Sequence, residues 1–190
     1  MAVKKVPFGA TGDGQPVDKY ILTCGAMEAE VITFGATVTA LRVPDQEGRA
    51  TDVVLGYSCV GGYEKNGGYV GALVGRYANR IAGASCLIDG ERVALEASEG
   101  TKQLHGGVKG FSYRVFSGEI TGDSQVTLTY TAADGEGGFP GTLTLKATYT
   151  LTENALRLRY EAESDKVTYC NITNHSYFNL NGGGHGLGHR

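Results

Sequence analysis

A chain of 190 residues with 41% apolar side chains can close one core, and a formal charge of −3 leaves no clustered basic surface for nucleic acid or an acidic membrane. No apolar run nears the roughly 20 residues of a membrane helix, and the opening MAVKKVPFGATG lacks the apolar segment of a secretory signal, so the cytoplasm is the expected compartment. The cysteines Cys24, Cys59, Cys86 and Cys170 form no C-x-x-C motif and are expected to be small core residues.

Glycine is frequent, 30 of 190 residues, without a collagen period, so it is expected to supply turns and bulges between apolar runs. Abundant Val, Thr and Tyr favour strands. In chain order, short β-prone runs fall at 20–24, 30–34, 38–43 and 52–56. The glycine-rich stretch 60–83 is irregular, with room for a short helical turn. Runs 86–88 and 92–95 flank Asp89-Gly90, a dipeptide that accepts the positive φ of a two-residue hairpin turn. Val126, Leu128 and Tyr130 alternate with threonines. Leu143, Leu145, Ala147, Tyr149 and Leu151 then alternate with polar residues, as do Leu156, Leu158, Tyr160 and Ala162. This period of two predicts a hairpin with one face in a core. No 12-residue segment carries a helical period, and the predicted class is all-β, a sandwich of antiparallel strands.

The segment NITNHSYFNL (171–180) breaks the pattern. Read as a strand over 167–180, one face carries Cys170, Ile172, Phe178 and Leu180, interrupted by Asn174 and Ser176. The other carries Asn171, Thr173, His175, Tyr177 and Asn179. Uncharged hydrogen-bonding groups around one titratable group are what a lined cleft needs. A histidine satisfied within a structural network is the alternative reading. GRYANRIAG (75–83) sets Arg76, Asn79 and Arg80 between glycines, suited either to holding hydroxyl oxygens or to plain surface charge. LHGG (104–107) puts His105 in a tight turn, with no acidic or cysteine neighbours to make a metal site. His185 and His189 stand four apart among glycines, where no helix is expected, so they are not read as metal ligands.

Taken together, GRYANRIAG, LHGG followed by GFSYRVF, the GFPG turn (138–141) and NHSYFNL resemble the aldose 1-epimerase family, in that family's order. The resemblance implies a supersandwich with an open cleft for a free aldose, interconversion of its anomers, and no cofactor or metal. It implies His175 as the acid at the ring oxygen, His105 as the second histidine assisting there, and Asn79 and Arg80 as binders of sugar hydroxyls. Ser176 and Tyr177 fall in the same substrate-contacting segment. The family's base is a glutamate further along a longer chain. This sequence is therefore expected to be the N-terminal portion of a domain incomplete at its C-terminus, lacking that base. Two other functions stay open: a carbohydrate-binding module without turnover, and a hexose-phosphate epimerase of related fold. The latter would need more basic residues near the site. The preferred sugar and the oligomeric state are not legible.

Overall fold

Strands dominate because β-branched and aromatic residues alternate with polar ones over short runs. The computed structural model describes residues 1–65 and 67–182. β1 (Ala2–Ala10), β2 (Pro16–Cys24), β3 (Met27–Ile32), β4 (Thr37–Pro44) and β5 (Ala50–Asp52) form one antiparallel sheet in sequence order. A short helix, α1 (Val60–Glu64), follows. Next come the small strands β6 (Leu73–Val74), β7 (Arg80–Ile81), β8 (Ser85–Ile88), β9 (Glu91–Ala94) and β10 (Gln103–Leu104). A second large antiparallel sheet, again in sequence order, contains β11 (Ser117–Gly122), β12 (Gln125–Ala132), β13 (Leu143–Leu151) and β14 (Leu156–Ser164). The last strand, β15 (Thr173–Asn174), returns to pair with β6.

The two large sheets share one core. Tyr20, Leu22, Ala29 and Val31 from the first pack with Leu128, Leu145, Ala147 and Tyr149 from the second. Each fully buried Leu or Val contributes about 1.5–3 kcal/mol, so this face holds the sandwich together. The Tyr20 hydroxyl donates to the Gly118 carbonyl at 2.7 Å, tying β2 to β11.

The predicted class holds, and so do the period-2 runs: β12, β13 and β14 lie in continuous antiparallel register, with Leu128 opposite Ala147 and Ala147 opposite Tyr160. Asp89 and Gly90 both take positive φ, +52° and +83°, in the turn joining β8 to β9. The irregular stretch contains a short helical turn, α1, and ends in a 3-10 turn at Ala82–Ala84.

Four expectations are corrected. β1 and β11 are strands that the pattern did not announce. Both are edge strands whose exposed residues carry little alternation. The run 52–56 is a strand only to Asp52, with Val54 in an isolated bridge to Phe178. Cys24 is buried as expected, whereas Cys59 and Cys170 are exposed and Cys86 is intermediate. The strand expected over 167–180 is reduced to β15. Of its supposed core face only Ile172 packs on the core, whereas Cys170 is exposed, Phe178 and Leu180 are at 56% and 70% exposure, and Asn179 of the opposite face is buried. The cause is a change of partners along the segment. Asn171 bonds to 76 and 78, His175 to 71 and 72, Tyr177 to Leu55 and Asn179 to Val53, so no single sheet imposes one alternation.

Candidate active site

β10 pairs with β7 so that Leu104 lies opposite Arg80, which sets His105 beside Asn79. The two residues clasp each other: the His105 amide donates to the Asn79 carbonyl at 3.1 Å, and the Asn79 amide donates to His105 Nδ1 at 2.9 Å. A backbone N–H can only donate, so Nδ1 holds a lone pair and Nε2 carries the ring proton. Protonating Nδ1 would break this bond. Burial lowers the His105 pKa to about 4, assisted by His175 and Arg80 and opposed by Glu99. Both His105 and Asn79 adopt left-handed backbone, φ +54° and +70°, a cost that persists where the surroundings demand it. Gly106 explains the LHGG turn: a Cβ there would meet the Gly75 carbonyl oxygen at 2.0 Å.

His175 is fixed by its backbone. Its amide donates to the Ala72 carbonyl at 2.8 Å, and its carbonyl accepts from the Gly71 amide at 3.0 Å. Asn174 braces the same turn, donating from Nδ2 to Gly71 O and accepting the Ser176 amide, each at 3.0 Å. The His175 ring stands edge to face with His105, centroids 5.4 Å apart. It also lies 5.1 Å from the ring of Tyr177, whose hydroxyl donates to Gly68 O at 3.0 Å.

The structure thus brings His105, His175, Asn79, Arg80 and Tyr177 together from segments far apart in sequence. Ser176 does not join the rings. It lines an apolar groove with Asn174, Phe178 and Leu180. Arg80 is held by a two-pronged ion pair, Nε and Nη2 to the Glu99 carboxylate at 2.6 and 2.7 Å, and its amide donates to Asn79 Oδ1. Asn79 Nδ2, Arg80 Nη1 and His105 Nε2 make no hydrogen bond to the described protein, which leaves donors for hydroxyl oxygens.

Arg76 is neither surface charge nor ligand. It is 2% exposed, donates to the carbonyls of Pro140 and Gly141 at 2.9 Å, and lies over the Phe139 ring, so it anchors the GFPG turn. Sequence reasoning missed Tyr69, whose ring centroid lies 4.6 Å from His105 and 5.9 Å from His175, and which sits in left-handed backbone at φ +55°. A tyrosine inside a glycine-rich loop was the available signal. Glu99 was visible only as one glutamate among several.

His185 and His189 lie outside the described residues. Among the described residues there is no His, Cys, Asp and Glu group able to hold a metal, and no helix long and apolar enough to cross a membrane. A groove of about 630 Å³ lies beside the ring cluster and shares Tyr113 with it, whose ring stands 6.0 Å from that of Tyr69. It is lined by Asp13, Glu64, Lys109 and Tyr113 among others.

The family model for aldose 1-epimerase matches residues 18–190. Galactose mutarotase of Bos taurus is 42% identical over 179 residues, 94% of this chain and 51% of that protein. Aldose 1-epimerase of Escherichia coli K12 is 40% identical over 172 residues, 90% of this chain and 50% of its own. The crystal structure of galactose 1-epimerase from Lactobacillus acidophilus NCFM superposes with a TM-score of 0.83 at 30% identity, covering 95% of this chain and 54% of that one. The chain spans about half the length of the curated relatives it matches. Sequence and fold agree along nearly its whole length, and the chain belongs to the aldose 1-epimerase family.

Proposed function

We propose that this chain carries the sugar-binding and acid side of a site that interconverts the α and β anomers of a free hexose such as galactose or glucose. The observation that carries the reading is the edge-to-face pair of His105 and His175. His175 gives a proton to the ring oxygen as the bond from C1 to that oxygen breaks. A base takes the C1 hydroxyl proton, and its electron pair becomes the aldehyde C=O. Rotation about C1–C2 presents the other carbonyl face, and reversal of the same transfers closes the ring as the other anomer. Histidine suits the task because it gives and retakes a proton near neutral pH. His105, held as the Nε2–H tautomer, donates on the ring-oxygen side without itself becoming charged. Asn79 and Arg80 hold hydroxyls, and Tyr177 offers its ring face. Ser176 supports the segment from the other side.

We place the base, as the family resemblance implies, outside these residues; this chain spans about half of the relatives' length. Among the described residues no carboxylate bonds to either histidine ring, and Glu99 is committed to Arg80. That same observation favours the second reading, sugar binding without turnover by this chain. A phosphate-bearing substrate is disfavoured because the one arginine beside the rings is already paired. The test is anomer exchange of galactose and glucose by NMR, corrected for the spontaneous rate, with a parallel sugar titration. Binding without exchange by this chain, together with exchange by a longer relative, is expected. Exchange by the 190-residue chain alone would place a base within it, and absence of binding would overturn the sugar-site reading.

A further inference from the structure

Four hydrogen bonds tie the loop 68–72 to the segment that carries His175. The Tyr177 hydroxyl donates to Gly68 O, Asn174 Nδ2 donates to Gly71 O, the Gly71 amide donates to His175 O, and the His175 amide donates to Ala72 O, all between 2.8 and 3.0 Å. Among the described residues no hydrogen bond joins 174–177 to His105 or to Asn79. The two histidines therefore stand on separately held pieces of backbone.

Tyr69 spans the gap. Its ring stands edge to face on His105, with centroids 4.6 Å apart, and tilted against His175 at 5.9 Å. Tyr113 closes it from a third side at 6.0 Å. Tyr177 stacks on His175 alone, so among the described residues Tyr69 is the aromatic side chain that touches both histidines. The His105 ring is steered by the Asn79 amide on Nδ1. The His175 imidazole makes no hydrogen bond to the described protein, so its plane is set by the rings of His105, Tyr69 and Tyr177 around it. The backbone points the same way. Tyr69 holds φ +55°, closed by the Ala72 amide donating to Tyr69 O at 3.1 Å. Glycine or asparagine takes that conformation readily, and a bulky ring does so at a cost. Such a cost persists where the side chain is needed.

We propose that Tyr69 is a positioning residue of this site: its ring, carried on the loop bonded to the His175 segment, fixes His105 and His175 edge to face for proton delivery to the sugar ring oxygen. The role rests on the sugar-site reading above. It matters because a misplacement of about 1 Å can slow a positioned proton transfer about 10²-fold.

Two variants separate ring from backbone. Tyr69→Asn removes the ring with a residue suited to left-handed backbone, and Tyr69→Phe keeps the ring. Both leave His175, Arg80 and Glu99, the charged groups that act on His105, in place. NMR of the 190-residue chain is expected to show Overhauser contacts from the residue-69 ring to His105, and from His105 to His175, in the parent and in Tyr69→Phe. In Tyr69→Asn the contact between the histidines should be lost. His105 should titrate above the parent's value of about 4, since burial holds it down. Galactose should bind about 2- to 10-fold more weakly. A Tyr69→Asn chain whose histidines keep their contact, or whose His105 still titrates near pH 4, would overturn the proposal. So would a Tyr69→Phe chain that behaves like Tyr69→Asn, because the hydroxyl and not the ring would then be the cause. Should Tyr69→Asn lose its β-sheet circular dichroism, the other two chains decide: contacts present in the parent and kept in Tyr69→Phe support the role, and their absence from the parent overturns it. A parent with these contacts that binds no galactose would sink the sugar-site reading and leave the placement of the histidines by Tyr69 standing.

Discussion

In β13 the side chains of Leu143, Leu145, Ala147, Tyr149 and Leu151 all turn inward and none is more than 2% exposed, whereas across 171–180 only Asn179 is buried. β13 has one sheet partner on each side along its whole length. The 171–180 segment changes partner every few residues and is held by single backbone bonds to 71, 72, 76 and 53. The sandwich is therefore specified by repetition, and the cleft by individual contacts. Substitutions in the first should cost volume; in the second they should cost geometry.

The largest expected effect falls on chemistry, with little on the frame. In a family chain long enough to turn over sugar, His175→Ala should slow anomer exchange by about 10²–10⁴-fold, the usual contribution of one acid–base group. Its imidazole makes no hydrogen bond to the described protein, so the urea midpoint should barely move. His175 also helps to hold the His105 pKa down, so in this variant the His105 ring protons should titrate at higher pH by NMR. A large loss of stability would show the cleft to be part of the frame.

Next come two changes of similar size and different cause. Leu145→Ala in the core should cost about 2–5 kcal/mol through lost transfer energy and a cavity. Gly106→Ala adds one methyl, yet its Cβ meets the Gly75 oxygen at 2.0 Å in backbone at φ +90°, and about 3 kcal/mol or more is expected. Urea unfolding gives both costs. The contrast lies in the folded remainder: Leu145→Ala should keep sugar affinity, and Gly106→Ala should lose it by displacing His105. If Gly106→Ala folds and binds like the parent, the cleft is less individually specified than the geometry requires.

The same contrast explains what could be read from sequence. The runs at 143–151 and 156–162 announced themselves because a half-buried strand repeats every two residues. The two histidines whose rings the fold brings together were legible as motifs, since a histidine among asparagines and glycines is out of place in a strand. The roles of Arg76 and Tyr69 were not. Arg76 is satisfied by carbonyls of a turn far along the chain, and Tyr69 meets the histidines through a left-handed turn. Neither contact leaves a local pattern. The broken alternation at 170–180 had the same cause, because alternation predicts orientation only where one partner persists.

A smaller effect appears in pH dependence. Folded His105 takes a proton only near pH 4, whereas the unfolded chain takes it near 6.5. Between those values the unfolded state binds more protons, so stability rises with pH across the window and is lost as pH falls through it. His105→Asn keeps an oxygen able to accept the Asn79 amide but cannot titrate. The difference between the two chains' urea midpoints should therefore shift in the variant's favour from pH 7 to pH 4.5. A constant difference would mean that His105 is not held neutral by folding.

The smallest effect is expected at Glu99, the carboxylate that pairs with Arg80. Its two-pronged pair with Arg80 is half-exposed at 49% and 40%, and exposed pairs contribute little to folding. Glu99→Gln should leave the melting temperature where it was. The pair nevertheless fixes where Arg80 points, and Arg80 in turn bonds through its amide to Asn79. Sugar affinity should therefore fall a few-fold by titration, less than in Arg80→Ala. The Glu99 charge also opposes the lowering of the His105 pKa, so its removal should push the His105 titration still lower. That shift separates an electrostatic contact from a passive tether. A variant with weaker sugar binding and an unmoved His105 would reduce Glu99 to a clamp on Arg80 alone.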